Sequence, residues 1–180
     1  VDKMNLHHHS MVIEKLERAL PLVKDQTLKR SHLIGRLGDL YAERARLKFI
    51  SEVEKPCNNC LGSQNDRHKA ISYYEQLLSD RQQKNRTHAI FQLAHLYKSV
   101  GQLRKAKNLY KVIIANKQKL YSHSLVGAAH FDLAEIHYAE KKFKTALNGY
   151  QKSLKTPDIK NKGLIHYRIA WCQFNTGHLQ

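Results

Sequence analysis

The sequence predicts an all-α protein assembled from antiparallel helix hairpins, and three observations predict it. Within Arg86 to Asn116, Leu93, Ala94 and Tyr97 fall on one helical face, Gly101 offers a turn, and Ala106, Tyr110 and Ile113 form the facing stripe of a second helix. The same geometry recurs: Ala94 to Ala106 is 12 residues, Ala134 to Ala146 is 12 residues, and Tyr110 and Tyr150 each follow four residues later. A single hairpin of this kind cannot bury its own apolar face, so it needs neighbours. The composition can supply them, because 42% of the 180 residues are hydrophobic while no apolar run is long enough to cross a membrane.

From the start of the chain, residues 1 to 10 read as a flexible arm. His7, His8 and His9 look like a remnant tag and not like a preorganised metal site. The sequence opens at Val1 instead of methionine, as a processed or truncated chain would, and it shows no targeting segment. From Met11 to Arg30 the spacing of Val12, Leu16, Ala19, Leu20 and Val23 predicts an amphipathic helix kinked at Pro21. Next, Leu33, Leu37, Tyr41, Ala45, Phe49 and Val53 recur every four residues. With no breaker before Pro56, they predict one long helix over Ser31 to Glu54.

The segment KPCNNCLGSQND then reads as a loop, with Ser63 or Asp66 as the cap of a helix carrying Ala70, Ile71, Tyr74, Leu77 and Leu78. Further units are predicted at about 87 to 121 and 124 to 158. A last one opens at 163, where Ile169, Ala170 and Gly177 repeat Leu93, Ala94 and Gly101. It stops at Gln180 without a second helix, so the array is expected either to continue or to end on a lone capping helix. All of 11 to 180 is expected to form one domain.

These residues resemble the tetratricopeptide repeat. That family's unit is about 34 residues long, with a small residue at its eighth position, a turn near the fifteenth, a small residue at the twentieth and an aromatic at the twenty-fourth. Ala94, Gly101, Ala106 and Tyr110 match in order, as do Ala134, Ala146 and Tyr150, then Ala170 with Gly177. Gly38 with Tyr41, and Ala70 with Tyr74, match the two halves of an earlier unit over about 31 to 84.

The resemblance implies a right-handed superhelical solenoid. Gly38 to Ala70 spans 32 residues instead of 12, so the first unit carries a long inserted helix and loop. The overshooting Phe49, Ile50 and Val53 are expected to dock on a neighbouring surface or a partner. Long first helices of this sort look similar to tetratricopeptide proteins of the bacterial cell envelope, including gliding-associated ones. That likeness points to the periplasm or envelope and a motility-related assembly, with the cytoplasm as the alternative.

The formal charge of +16 is concentrated. No acid lies between Asp80 and Asp132, a span that carries Arg81, Lys84, Arg86, Lys98, Arg104, Lys105, Lys107, Lys111, Lys117 and Lys119. Such a band is either a solvated face or an attractor of acidic proteins, anionic lipid or nucleic acid. In the family's geometry, second helices form the convex outside. The resemblance therefore places Arg104, Lys105, Lys107, Lys111, Lys141, Lys142 and Lys144 there.

First helices line the concave groove. Carried over by position, that groove would hold Asp39 in the first unit, then Phe91, Gln92, His95 and Lys98, with His88 beside them. Phe131, Asp132, Glu135 and Tyr138 follow, then Tyr167, Arg168, Trp171 and Phe174. Aromatics with a few charges of both signs suit a peptide segment. The alternative for Tyr167, Trp171 and Phe174 is cover by later helices of a longer array. The family's carboxylate clamp is not expected, because Gly35, Asp39, Gln92, Ala128 and Asp132 stand at its positions, and the two acids would repel a terminal carboxylate.

Cys57 and Cys60 are the chemically suggestive pair. A loop-pinning disulfide, zinc ligation with Cys172 or a histidine such as His68, and free thiols all stay open. His88 with His95, and His130 with His137, are each seven apart, about 10 Å along a helix and too far for one metal ion. No nucleophile–base arrangement, paired-carboxylate motif or phosphate loop is present, so neither catalysis nor a cofactor or metal is expected. The expected function is a non-enzymatic scaffold that binds a protein segment in the aromatic groove. A nucleic-acid-binding repeat using the basic outer face is the alternative.

Overall fold

The computed structural model describes residues 3–24, 26–54, 61–79, 86–116, 122–157 and 159–177. Cys57 and Cys60 lie outside these residues, as do Lys117 and Lys119. The described residues form α1 (Lys3–Ala19), a 3-10 turn (Leu20–Val23), α2 (Thr27–Glu54), α3 (Gly62–Ser79), α4 (Arg86–Ser99), α5 (Leu103–Ala115), α6 (His123–Ala139), α7 (Phe143–Leu154) and α8 (Lys162–Asn175). No strand occurs among them, so the fold is all-helical. Where one domain was expected, the chain divides into two compact units, Val1–Ala89 and Ile90–Gln180.

In the first unit the expected flexible arm is helical. α1 starts at Lys3, so His7, His8 and His9 sit on a helix. Nothing in residues 3–10 breaks a helix, and local bonds close the turns: His9 Nδ1 lies 2.7 Å from the Asn5 carbonyl, and the Ser10 hydroxyl donates to the Leu6 carbonyl. Arg44 of α2 then donates to the Ser10 hydroxyl. Pro21 ends α1 instead of kinking it. The missing N–H and fixed φ leave a 3-10 turn over Leu20–Val23, and α2 restarts at Thr27.

The Glu17 carboxylate of α1 accepts hydrogen bonds from the Tyr41 and Tyr73 hydroxyls, whose rings stack at 5.6 Å. Burial, then Glu17, pushes the Tyr41 phenol up to about 12.

The insertion lengthens one hairpin: α2 runs on to Glu54 and α3 packs along it from Gly62 onward. Ser63 and Asp66, expected as caps, lie inside α3 and face α2. The Ser63 amide and hydroxyl both donate to Glu52, while Asp66, only 4% exposed, accepts two bonds from Arg44 and pairs with Lys48 at 2.8 Å. α3 thus takes the place of the expected neighbour. Even so, Phe49 and Val53 keep 48% and 62% of their surface exposed, with Arg67 over the Phe49 ring.

The repeat signal locates the core of each unit. Ala70, Ala106 and Ala146 are fully buried, and so are Tyr74, Tyr110 and Tyr150 to within 1%. Small residues allow the facing helices their close approach. A Cβ on Gly38 would lie 3.1 Å from the Tyr74 ring, and one on Gly149 would lie 2.8 Å from the Ala134 Cβ. In the second unit Ala134, Ala146, Tyr150, Ile165 and Cys172 form one core cluster. Cys172 is a buried free thiol that burial pushes up, which disfavours its reactive thiolate.

Two turns share one device. After α4, Gly101 takes φ +79 while its amide donates to the Lys98 carbonyl and that of Gln102 to Tyr97. After α6, Lys141 takes φ +59, donating to Tyr138, and Lys142 donates to His137. Both are left-handed helix ends with paired bonds back to the last turn. A lysine there carries a steric cost that glycine escapes. Lys141→Gly is therefore expected to raise stability by about 0.5–1 kcal/mol, read as a higher urea midpoint at constant slope; an unchanged or lower midpoint would contradict it.

Candidate functional site

The predicted groove residues of α4, α6 and α8 come together in the second unit, but most of them bind each other. Lys98 Nζ of α4 donates to Asp132 of α6 at 2.7 Å, and His95 Nδ1 lies 3.8 Å from the same carboxylate. Arg168 of α8 donates to both oxygens of Glu135 of α6, at 3.0 and 3.3 Å, and its guanidinium sits 4.5 Å over the Tyr138 ring. Ion pairs therefore tie α6 to both flanking first helices. Burial raises the Asp132 carboxyl, but the nearby His95 and the charge and hydrogen bond of Lys98 outweigh it and hold it below its ordinary range.

The aromatics split into two sets. Phe91 packs edge-on to the buried Tyr110 ring at 6.2 Å, Phe131 tilts against Tyr150 at 6.0 Å, and Tyr138 meets both Phe143 and Tyr150. These three, with Gln92, are half-buried; Phe131 and Tyr138 pack against the core cluster of the second unit, and Phe91 against the buried Tyr110. Tyr167, Trp171 and Phe174 of α8 are exposed by 57%, 44% and 57%. Their rings run near-parallel along the helix, with centroids 6.4 and 5.7 Å apart. With His95, which is also exposed, they are the predicted groove residues of the second unit most open to solvent.

The hairpin tyrosines disclose a pairing that the repeat pattern alone did not announce. The Tyr74 hydroxyl donates to Asp39, and that of Tyr150 donates to Glu135. Both acids directly follow the small residue of the first helix, Gly38 or Ala134, which was the signal available in the sequence. In the hairpin between them His95 stands at that place. The Tyr110 hydroxyl is buried there without an ordinary hydrogen bond, its phenol pushed up by burial and by the nearby Asp132. Asp39 also has His88 Nε2 at 3.5 Å.

The predicted basic face is only partly available. Lys107 and Lys142 both bind Glu140, at 2.6 and 2.8 Å, and those two hydrogen bonds, Lys107's first, hold the carboxyl down to about 2. Lys105 lies 4.9 Å over the Tyr97 ring. Arg104, Lys111, Lys141 and Lys144 are exposed. His137 is pushed down by burial despite Glu140 beside it. Among the described residues no group of three His, Cys, Asp or Glu is placed to hold a metal ion, and no helix is long and apolar enough to cross a membrane.

No family model matches the chain, and no curated protein matches it. Among solved structures it is similar to BtubC (BKLC) from P. vanneervenii, with a TM-score of 0.56 and 22% identity over 94% of this chain. The match spans 64% of the length of BtubC. At that identity the likeness concerns the fold alone.

Proposed function

We propose that the chain is a non-enzymatic interaction scaffold, a tetratricopeptide-like right-handed solenoid whose first-helix face holds a segment of a partner protein. The observation that carries this reading is the exposed ladder of Tyr167, Trp171 and Phe174 on α8. It lies beside first helices whose charges are already paired. Large rings open to solvent and backed by a fixed helix are the side chains that dominate binding energy at protein interfaces. The repeated Ala and Tyr positions, the turns at Gly101 and Lys141 and the likeness in fold to BtubC support the solenoid.

The nucleic-acid reading has less support, because the outer face carries lysines without interleaved exposed rings. The test is affinity capture followed by titration of the captured segment. Tyr167→Ala with Trp171→Ala is expected to weaken binding by roughly 30-fold or more while leaving the helical signal intact, since both rings are exposed. Unchanged binding would refute the assignment. Phe91→Ala or Phe131→Ala would be the wrong probe, because each ring packs on a core tyrosine.

A further inference from the structure

We infer that the outer face of α5 and α7 is a docking surface for an anionic lipid bilayer, separate from the peptide-binding face. Between Ile90 and Gln180 the only acids are Asp132, Glu135, Glu140 and Asp158. The first three are held in ion pairs, with Lys98, with Arg168, and with Lys107 and Lys142. Glu140, at the end of α6, takes Lys107 from α5 and Lys142 from just before α7, so one carboxylate links the two helices.

Both helices bury an equivalent stripe, Ala106 and Tyr110 in one, Ala146 and Tyr150 in the other, and so turn the same positions outward. Arg104 and Lys111 on α5, and Lys144, Lys152 and Lys155 on or just after α7, are exposed. Among the described residues none of the five is paired with an acid. Composition alone does not produce this face. α3 of the first unit exposes Lys69 but also Glu75.

The chemistry of the face selects the partner. A protein interface needs a desolvated centre of aromatics or arginine and is depleted in lysine. Here the residues between the cations are Asn108, Val112, Thr145, Asn148 and Gln151, all exposed, and both tyrosines point inward. Binding to single strands would need exposed rings for base stacking, and the face has none. A second copy of the chain would bring like charge. A bilayer rich in anionic headgroups asks only for a spread of cations with little apolar demand, and its fluid lipids can move to meet each lysine.

The test is co-sedimentation of the whole chain with phosphatidylcholine vesicles and with vesicles carrying about a third phosphatidylglycerol. Binding is expected only to the second, falling as salt rises. Lys111→Glu with Lys144→Glu should weaken it by roughly 25-fold or more, from about five-fold per basic residue lost near the surface. Lys29→Glu with Lys69→Glu, an equal charge change on exposed lysines of the first unit, should weaken it far less. Equal effects of the two pairs, or no vesicle binding at near-physiological salt, would overturn the assignment. Tighter binding to duplex DNA, lost in the same α5–α7 variant, would overturn it in favour of nucleic acid. The Tyr167 and Trp171 variant should bind vesicles normally, which keeps this surface distinguishable from the peptide site.

Discussion

Tyr150→Ala is expected to destabilise the second unit by about 3–5 kcal/mol, the range for deleting a buried aromatic side chain. Tyr150 has no exposed surface and stands where three elements meet. Phe131 and Tyr138 of α6 contact its ring at 6.0 and 6.5 Å, and its hydroxyl donates to Glu135, the residue that also receives Arg168 of α8. Alanine leaves a cavity between these groups and removes a donor from a half-buried carboxylate.

Tyr150→Phe separates the two losses. It keeps the ring and removes only the hydroxyl, and Glu135 retains its bidentate arginine, so about 1–2 kcal/mol is expected. Urea unfolding followed by helical circular dichroism and by the fluorescence of Trp171, the one tryptophan, measures both. A loss below about 1 kcal/mol for the alanine variant would contradict the packing assigned to this tyrosine.

The positions most legible in the sequence are those where one residue has one solution. A small residue on the first helix is matched by an aromatic on the second, 16 positions on for Ala94 with Tyr110 and for Ala134 with Tyr150, and 36 on for Gly38 with Tyr74, where the insertion intervenes. Helix ends were less legible. Lys141 enters the left-handed region that Gly101 occupies, a place no propensity scale assigns to lysine, because the paired backbone bonds hold it there.

The long insertion misled for another reason. Periodicity showed that α2 has an apolar stripe, but not that α3 would extend to meet it with Asp66 aimed at Arg44 and Lys48. In the same way, position within a repeat put Lys98, Asp132, Glu135 and Arg168 on the predicted groove face without revealing that Lys98 would pair with Asp132 and Arg168 with Glu135. Such pairings depend on how successive helices are offset, which no single helix encodes.

Asp132→Asn tests the most consequential of those pairings. The carboxylate is 7% exposed and receives Lys98, with His95 close by, so its loss leaves a half-buried ammonium without its anion. A fully buried pair broken this way costs about 3–5 kcal/mol. Lys98 keeps 28% of its side-chain surface, which lowers the expectation to roughly 2–3 kcal/mol.

The pH dependence carries a sign. Asp132 is held below its unfolded value of about 3.9, so the unfolded chain binds the proton more readily. Its contribution is complete above that value and disappears as pH falls through the lower, folded value. Stability of the native chain should therefore drop on acidification from about pH 5 downward, and Asp132→Asn should flatten that drop. Glu140, held at about 2, acts in the same direction in both proteins and leaves the difference between them unaffected. Parallel curves would show that Asp132 does not supply the linkage.

A double variant then tests why Asp132 is needed where it is. In the other two hairpins an acid follows the small residue and takes the tyrosine hydroxyl, whereas His95 stands there before Tyr110. Placing glutamate at that position, His95→Glu with Asp132→Asn, supplies Tyr110 and Lys98 with a carboxylate from their own hairpin. Part of the lost stability should return, whereas no recovery would mean that Asp132 acts through its tie between α4 and α6 and not through the buried hydroxyl.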